Sequence, residues 1–449
     1  MLRCRPKGWG LSESVILIRL RVRDTLQTDI RYKINERRFV VTRPIDECIH
    51  VMLSTAIMPP ITVAFAPFRS SLTTSIRSVL KRSVPFMRAS GASVLIGVLS
   101  CAHSVQAATS DERARFEAPV KAVADQRIAV DTPHGSALLP VYADHPLNQP
   151  VPDVTRVFIV MHGTLRNADV YYASGLQVVE KSAEARKDTM VVAPQFLTSA
   201  DTRAFSLPPS TLAWSQEGWK GGEPARKPGP ISSFEALDAL LAHFADRRLY
   251  PSLSTVVMMG HSAGAQLLQR YAVTGREGDA LARAGIVVRY VVANPSSYLY
   301  FDDERPNAQA IADGTCPRAT QWKYGLKSAP PYVASQDVRN LEAHYVARDV
   351  VYLLGQADTN PYTHFIDRSC AGMAQGPYRL ARGLAYFAYL KKRHPEGLAQ
   401  QVVEVPGVGH DGLGMFTSAC GLAVLFGRAL PTSCPVISGT ATPAPGAAQ

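Results

Sequence analysis

Residues 254–273, STVVMMGHSAGAQLLQRYAV, place the motif GHSAG (260–264) between an apolar run and a segment of helical character. The small residues of the motif allow the backbone to turn sharply, so that the serine is held at the end of a strand. Free amides at the start of the following helix favour negative charge that develops beside them. The stretch therefore predicts a strand, a tight turn and a helix, with Ser262 as a candidate nucleophile.

Short apolar runs recur along the chain and alternate with longer segments of helical character. Strands are predicted at residues 154–161, 189–194, 254–259, 287–293, 350–354 and 401–405, after an opening pair within 127–141. Helices are predicted at residues 168–185, 232–247 and 377–392. Ser232 and Glu235 form a capping box at the start of the second of these helices. The alternation predicts a mostly parallel central sheet that is flanked by helices.

The serine motif in this setting resembles that of the α/β-hydrolase family, over about residues 125–430. The resemblance implies an α/β-hydrolase fold in which the serine is followed by an acid after a late strand and a histidine after the last one. Asp358 follows the run VVYLLG, and His410 follows QVVEVPG. A serine hydroxyl needs a base to take its proton, and the base needs an acid to orient it. We therefore expect Ser262, His410 and Asp358 to be the catalytic residues.

Three other aspartates compete with Asp358 for the role of the acid. Asp349 precedes its strand, Asp367 lies well beyond the end of that strand, and Asp411 is adjacent to the base. Catalytic side chains of such sheets converge just beyond the carboxyl ends of the strands, which favours Asp358.

An oxyanion hole is expected from two backbone amides. One belongs to the residue after the nucleophile, Ala263, and the other to a residue after the third strand. The sequence Met-His-Gly-Thr (161–164) is similar to the oxyanion loop of the family, so Thr164 is the expected second donor, with Leu165 next. His162 is interpreted as structural. The chain lacks the Gly-Gly-Gly form of this loop, which weakens any match to hormone-sensitive-lipase-like esterases.

Two intervals, 197–230 and 294–348, are too long for plain connections, and long loops in compact domains are often functional. A small cap is expected at about residues 295–348. The aromatic residues in these intervals either line a substrate pocket or merely pack the cap. The candidates for the pocket are Trp214, Trp219, Tyr298 and Tyr300.

The excess positive charge belongs to the first 107 residues. They contain 16 Lys and Arg against 6 Asp and Glu, whereas the remaining residues contain 32 against 31. A nucleic-acid partner is not expected, because the body of the protein is nearly neutral. The basic stretch 81–88, the apolar run 92–99 and the small residues up to Ala107 follow the order of a signal peptide, which we predict at residues 87–107 with cleavage near Ala107. The apolar run is too short to span a bilayer. We expect residues 1–86 to be non-native or disordered, translation to begin at Met87, and the protein to be periplasmic or secreted.

The number of cysteines in the mature chain is consistent with export. Four lie in the mature chain, namely Cys316, Cys370, Cys420 and Cys434. An even number in an oxidising compartment suggests two disulfides, and of the three possible pairings proximity favours Cys420–Cys434 with Cys316–Cys370. Four free thiols are the alternative. A lipoprotein anchored at Cys101 is the alternative to simple cleavage.

The expected domain therefore spans residues 108–434, with a disordered tail at 435–449. The resemblance implies a serine hydrolase of the carboxylesterase or lipase type, acting on a small or polymeric ester without a metal or organic cofactor. The alternatives are a peptidase, polyester depolymerase or thioesterase, and a binding protein of the same fold that has lost activity.

Overall fold

The computed structural model describes residues 15–21, 27–33, 112–182, 187–276 and 278–440. The chain divides into two units, at residues 1–100 and 101–449. In the first unit, β1 (Val15–Arg21) pairs antiparallel with β2 (Gln27–Lys33). We did not predict this hairpin within residues 1–86, although its first strand, VILIRLR, is rich in strand-forming residues. The signal peptide, Met87 and Cys101 lie outside the described residues.

A nine-stranded sheet forms the centre of the second unit. Its strands are β3 (Gln126–Thr132), β4 (Gly135–Ala143), β5 (Arg156–Met161), β6 (Thr189–Pro194), β7 (Thr255–His261), β8 (Val287–Ala293), β9 (Asp349–Gly355), β10 (Gly397–Val405) and β11 (Val436–Thr440). From one edge to the other the order is β3-β4-β6-β5-β7-β8-β9-β10-β11. The strands from β5 to β10 are parallel to one another, whereas β3, β4 and β11 join the sheet through antiparallel pairs.

Within the described part of the second unit, twelve α-helices are numbered here together with the sheet. They are α1 (Ala168–Lys181), α2 (Ser199–Ala204), α3 (Ser233–Phe244), α4 (Ala263–Thr274), α5 (Gly278–Arg283), α6 (Gln309–Ala312), α7 (Pro331–Ala334), α8 (Val338–Val346), α9 (Cys370–Met373), α10 (Arg379–Arg393), α11 (Gly412–Thr417) and α12 (Ala419–Phe426). Residues 112–117 form a short helix before them, which we call the N-terminal helix. Shorter 3₁₀ turns lie at Gly218–Gly221 and Pro317–Thr320.

The order of the strands identifies the fold. The first two strands of the large sheet form an antiparallel pair, the third and fourth exchange places, and the strands from the fifth onward follow in sequence. This is the α/β-hydrolase fold, as the sequence predicts. The serine motif lies where β7 ends and α4 begins, at the carboxyl edge of the parallel strands.

Both faces of the sheet are buried, and successive residues of a strand face opposite layers. On β5, Ile159 belongs to one layer and its neighbours Phe158 and Val160 to the other. The first layer includes residues of α3, α4 and α10, and the second includes residues of α1, α11 and α12. Burial on both sides explains why the strands appear in the sequence as continuous apolar runs.

Local signals in the sequence set several boundaries. Ser232 accepts a hydrogen bond from the Phe234 amide at 3.1 Å, and Glu235 accepts one from the Ser232 amide at 2.7 Å. The predicted capping box is therefore formed. The helix that it opens ends at Phe244, three residues before the predicted end.

Both predicted disulfides are formed, Cys316–Cys370 and Cys420–Cys434. The prediction of a disordered tail from residue 435 is wrong for its first part, because Val436–Thr440 form β11. These residues pair with the edge of β10, whose backbone groups would otherwise lack partners on that side. Within the described ranges, the helices are all too short or too polar to cross a membrane.

Candidate active site

The turn between β7 and α4 holds Ser262 in a strained conformation. Its φ of 58° and ψ of −118° are rarely adopted by residues other than glycine. Its amide donates a hydrogen bond to the Ala293 carbonyl at 3.0 Å, which ties the turn to β8. A Cβ at Gly260 would lie 2.6 Å from the Gly264 carbonyl oxygen, and one at Gly264 would lie 2.5 Å from that of Met161. Both glycines of the motif are therefore required by close backbone contacts.

Three side chains from distant parts of the chain meet at this turn. The Ser262 hydroxyl lies 3.0 Å from His410 Nε2, in position to donate a hydrogen bond to it. On the other side of the ring, Nδ1 lies 2.8 Å from Asp358 Oδ2. A carboxylate only accepts, so Nδ1 carries the proton and Nε2 is left free to accept. In this tautomer the imidazole is arranged to take a proton from the serine.

Asp358 is fixed by its surroundings. It is almost completely buried, and its amide donates to the Gly355 carbonyl at 3.0 Å. Two of the other three aspartates considered as the acid, Asp349 and Asp367, have different partners. Asp349 pairs with Arg289 at 2.8 Å, and Asp367 accepts a hydrogen bond from the Tyr324 hydroxyl at 2.7 Å.

Arg379, which no sequence pattern predicts, is a buried cation beside the carboxylate. Its Nη1 lies 3.7 Å from Asp358 Oδ1, and its Nε donates to the Ser296 hydroxyl at 3.1 Å. Arg379 is the first residue of α10, and no motif in the sequence relates it to the serine. Burial lowers its pKa to about 10, an effect that Asp358 opposes. The arginine therefore remains charged at neutral pH.

The electrostatics of His410 favour its neutral form. Burial lowers the pKa of His410, which outweighs the hydrogen bond to Asp358, and Arg379 lowers it further. A second imidazole, His261, lies with its ring centroid 4.4 Å from that of His410. Burial holds the pKa of His261 well below its usual value, so the two rings do not compete for a charge.

The two residues expected in the oxyanion hole, Ala263 and Thr164, follow the neighbouring strands β7 and β5. Ala263 is the first residue of α4, where amides lack partners within the helix. Thr164 follows β5, in a loop whose His162 carbonyl oxygen would lie 2.6 Å from a Cβ at Gly264. The Thr164 hydroxyl accepts a hydrogen bond from Lys220 Nζ at 2.9 Å.

His162 has a structural environment. Its Nδ1 donates to the Gly163 carbonyl at 2.9 Å, and its Nε2 accepts from the Phe196 amide at 3.0 Å. Burial lowers the pKa of His162 to about 4, so the ring is neutral. It stabilises the loop that carries Thr164.

The four aromatic residues expected in a substrate pocket are buried in the core. The indole Nε1 of Trp214 donates a hydrogen bond to the Ile231 carbonyl at 3.2 Å. Trp219 stacks on Phe196, with 5.6 Å between the ring centroids. Tyr298 stacks on Tyr386, with 4.6 Å between the ring centroids. Tyr300 packs edge-on against the same ring, with 5.0 Å between the centroids. None of the four has appreciable exposed surface. In this structure they pack the core, and they do not line an open pocket.

Among the side chains that the structure describes, His, Cys, Asp and Glu do not form a group of three or more that is placed to hold a metal ion. The groups gathered at Ser262 are instead a hydroxyl, an imidazole and a carboxylate. This arrangement can make a hydroxyl nucleophilic by removing its proton.

No family model matches the chain, and no curated protein matches it. Solved structures of several hydrolases resemble the chain. Poly(aspartic acid) hydrolase-1 from Sphingomonas sp. KT-1 is 23% identical, and the match covers 69% of this chain and 99% of that one, with a TM-score of 0.47. For LpqC, a poly(3-hydroxybutyrate) depolymerase from Bordetella parapertussis, the identity is 20%, the coverage 69% and 93%, and the TM-score 0.48. An α/β serine hydrolase without a lid from Xanthomonas campestris is 16% identical, with coverage of 65% and 88% and a TM-score of 0.30.

Proposed function

We propose that this chain, which has the α/β-hydrolase fold, is a serine hydrolase that cleaves a carboxylic ester or a related acyl substrate. The observation that carries the proposal is the continuous chain of contacts from Ser262 Oγ to His410 Nε2, at 3.0 Å, and from His410 Nδ1 to Asp358 Oδ2, at 2.8 Å. Both distances are within the range of hydrogen bonds. The strained elbow at Ser262 is a second, independent support.

In the first half of the reaction, His410 takes the proton of Ser262 as the oxygen attacks the acyl carbonyl. The carbonyl oxygen becomes an anion, which the amides of Ala263 and Thr164 stabilise. The tetrahedral intermediate then collapses, His410 gives the proton to the leaving alcohol, and the acyl group remains on Ser262. Asp358 holds the ring in the required tautomer and stabilises the imidazolium.

In the second half, water replaces the alcohol. His410 takes a proton from the water, whose oxygen attacks the acyl carbon, and the same amides stabilise the second oxyanion. Collapse of this intermediate releases the carboxylic acid and returns the proton to Ser262. Removing one oxyanion donor typically costs about 3 kcal/mol of barrier.

Labelling with a fluorophosphonate tests the proposal directly, because the reagent reacts with an activated serine. We expect the wild type to be labelled, and both Ser262→Ala and His410→Ala to lose labelling while they remain folded. His145→Ala serves as a matched control, since this histidine is partly exposed and pairs with Asp144. Folded wild-type protein that resists the probe would instead indicate a binding protein without activity.

A second measurement determines which acyl group and which leaving group the protein prefers. A panel of p-nitrophenyl esters, aryl esters, thioesters, polyesters and peptide amides distinguishes an esterase from a thioesterase, depolymerase or peptidase. We expect esters to have the highest kcat/KM. A strong preference for amides would indicate that the protein is a peptidase, with the same three catalytic residues, and not an esterase.

Export to the periplasm or the exterior is the second part of the proposal. Two disulfides are typical of proteins that fold in an oxidising compartment. N-terminal sequencing of protein recovered from fractionated cells tests the predicted cleavage, and we expect the mature chain to begin at Ala107 or Ala108. A cytoplasmic protein that retains residues 1–86 would contradict it.

A further inference from the structure

Residues 112–118, which we call the N-terminal segment, are held by a buried ion pair beside the oxyanion loop. Arg166, two residues after Thr164, is fully buried and pairs with Asp201 at 2.8 Å. The same guanidinium donates to the carbonyls of Phe116, at 3.2 Å, and Ala118, at 2.7 Å. The segment is therefore fixed to the wall of the site that carries Thr164.

The other end of the segment reaches the opposite wall. Glu112 accepts a hydrogen bond from the amide of Phe365, and the ring of Phe116 lies 6.5 Å from that of Phe365. The residue before Phe365, His364, accepts a hydrogen bond through its carbonyl from Arg379 at 3.3 Å. Arg379 in turn lies beside Asp358, so these contacts lead to the acid side of the site.

Phe116 lies between the two walls. On the oxyanion side, Lys220 Nζ is 5.2 Å from the centre of the Phe116 ring and 2.9 Å from the Thr164 hydroxyl. On the acid side, the ring packs against Phe365. Both phenylalanines are only partly buried, so each offers an apolar surface that a substrate can contact.

We propose that Phe116, which lies between Lys220 and Phe365, is a specificity-determining residue that limits the size of the acyl group. The inference rests on the proposed function, since it concerns the substrate of Ser262. A small acyl group fits beneath the pair of rings, whereas a long or bulky one must displace them. Apolar contacts of this kind discriminate substrates by about 10-fold or more for each group added or removed.

The test compares kcat/KM of wild type, Phe116→Ala and Phe365→Ala for p-nitrophenyl esters from acetate to laurate, with benzoate as a bulky acyl group. We expect each variant to raise the ratio of the laurate and benzoate values to the acetate value by about 10-fold. Arg113→Ala is the matched control on the N-terminal helix, because its side chain is 77% exposed and pairs only with Glu117 in the described structure. It should keep the wild-type ratio.

Thermal unfolding establishes that each variant is folded, and Phe365→Ala keeps the test decisive should Phe116→Ala fail to fold. A ratio that stays within about twofold of wild type, or that falls, would overturn the inference. Fluorophosphonate labelling separates this failure from failure of the proposed function. A labelled Ser262 with unchanged acyl preference rejects only the role of Phe116, whereas an unlabelled wild type rejects both.

Discussion

The guanidinium of Arg379 lies 3.7 Å from the Asp358 carboxylate, and neither side chain has more than 1% of its surface exposed. A buried carboxylate that orients a histidine is costly unless a cation or hydrogen-bond donors compensate its charge. Arg379 supplies that charge on the side of Asp358 away from His410 Nδ1, since it faces Oδ1 and the histidine contacts Oδ2. We therefore regard Arg379 as a positioning residue.

Replacing Arg379 by methionine should lower kcat by about 10-fold or more, because the acid that orients His410 loses its counter-charge. Arg379 also lowers the pKa of His410, so the acidic limb of the pH profile should move to higher pH in Arg379→Met. Arg379→Lys keeps the charge and should restore part of both effects. An acidic limb that does not move would assign Arg379 a purely structural role.

The pH dependence of the wild type follows from His410. The proposed base, His410, is active only when neutral, and burial lowers its pKa below the usual value of about 6.5. The neutral form therefore persists to lower pH than for a free imidazole, and kcat/KM should rise with pH to a plateau with a midpoint below about 6.5. Initial rates on a soluble ester over this range measure it. A midpoint at or above the usual value would contradict the prediction.

The second glycine of the elbow should not tolerate a side chain. The Cβ of Gly264→Ala would lie 2.5 Å from the Met161 carbonyl oxygen and 2.6 Å from that of His162, and both are backbone atoms of the oxyanion loop. We expect this variant to lose about 3 kcal/mol or more of its free energy of unfolding. In Gly409→Ala the nearest atom is 3.5 Å away, so the cost should be small. Urea denaturation of both variants measures the difference, and equal stabilities would argue against this geometry.

The two disulfides should differ in how much they stabilise the protein. They close loops with sequence separations of 54 and 14 residues. Loop-closure entropy predicts stabilisation of about 4 kcal/mol for Cys316–Cys370 and about 3 kcal/mol for Cys420–Cys434. Denaturation of the two paired serine variants checks these values. Should neither pair of substitutions reduce stability by more than about 1 kcal/mol, the bridges would not constrain the unfolded chain.

The sequence predicts those elements whose signal is local. The elbow at Ser262 combines a buried strand, two glycines and a helix within twenty residues, and Ser232 and Glu235 mark a helix start within four. The mostly parallel sheet follows from the alternation of strands and helices, and the α/β-hydrolase fold follows from the resemblance of the elbow to a known family. Asp358 and His410 were found because each follows an apolar run at the position that the resemblance implies.

Contacts between distant residues explain what the sequence did not predict. We propose a role for Arg379 only because α10 places it beside Asp358. Likewise, we propose a role for Phe116 only because Arg166 binds its carbonyl and so fixes its position. Aromatic residues in a long interval suit a pocket or a core equally well, and Tyr298 and Tyr300 are in the core because α10 provides tyrosines that pack against them. The composition after residue 435, which is rich in small and polar residues, does not predict the short strand β11, because this strand forms by pairing with β10.

That last strand has a practical consequence for handling the protein. Without Val436–Thr440, the outer margin of β10 would present a row of unsatisfied amides and carbonyls to solvent, which is a template on which a second molecule can add a strand. Shortening the polypeptide at Cys434 should therefore favour self-association, even though the excised residues lie in sequence beyond every group proposed to take part in hydrolysis. An affinity tag placed after the final residue leaves this protective strand in place, whereas one that replaces it does not.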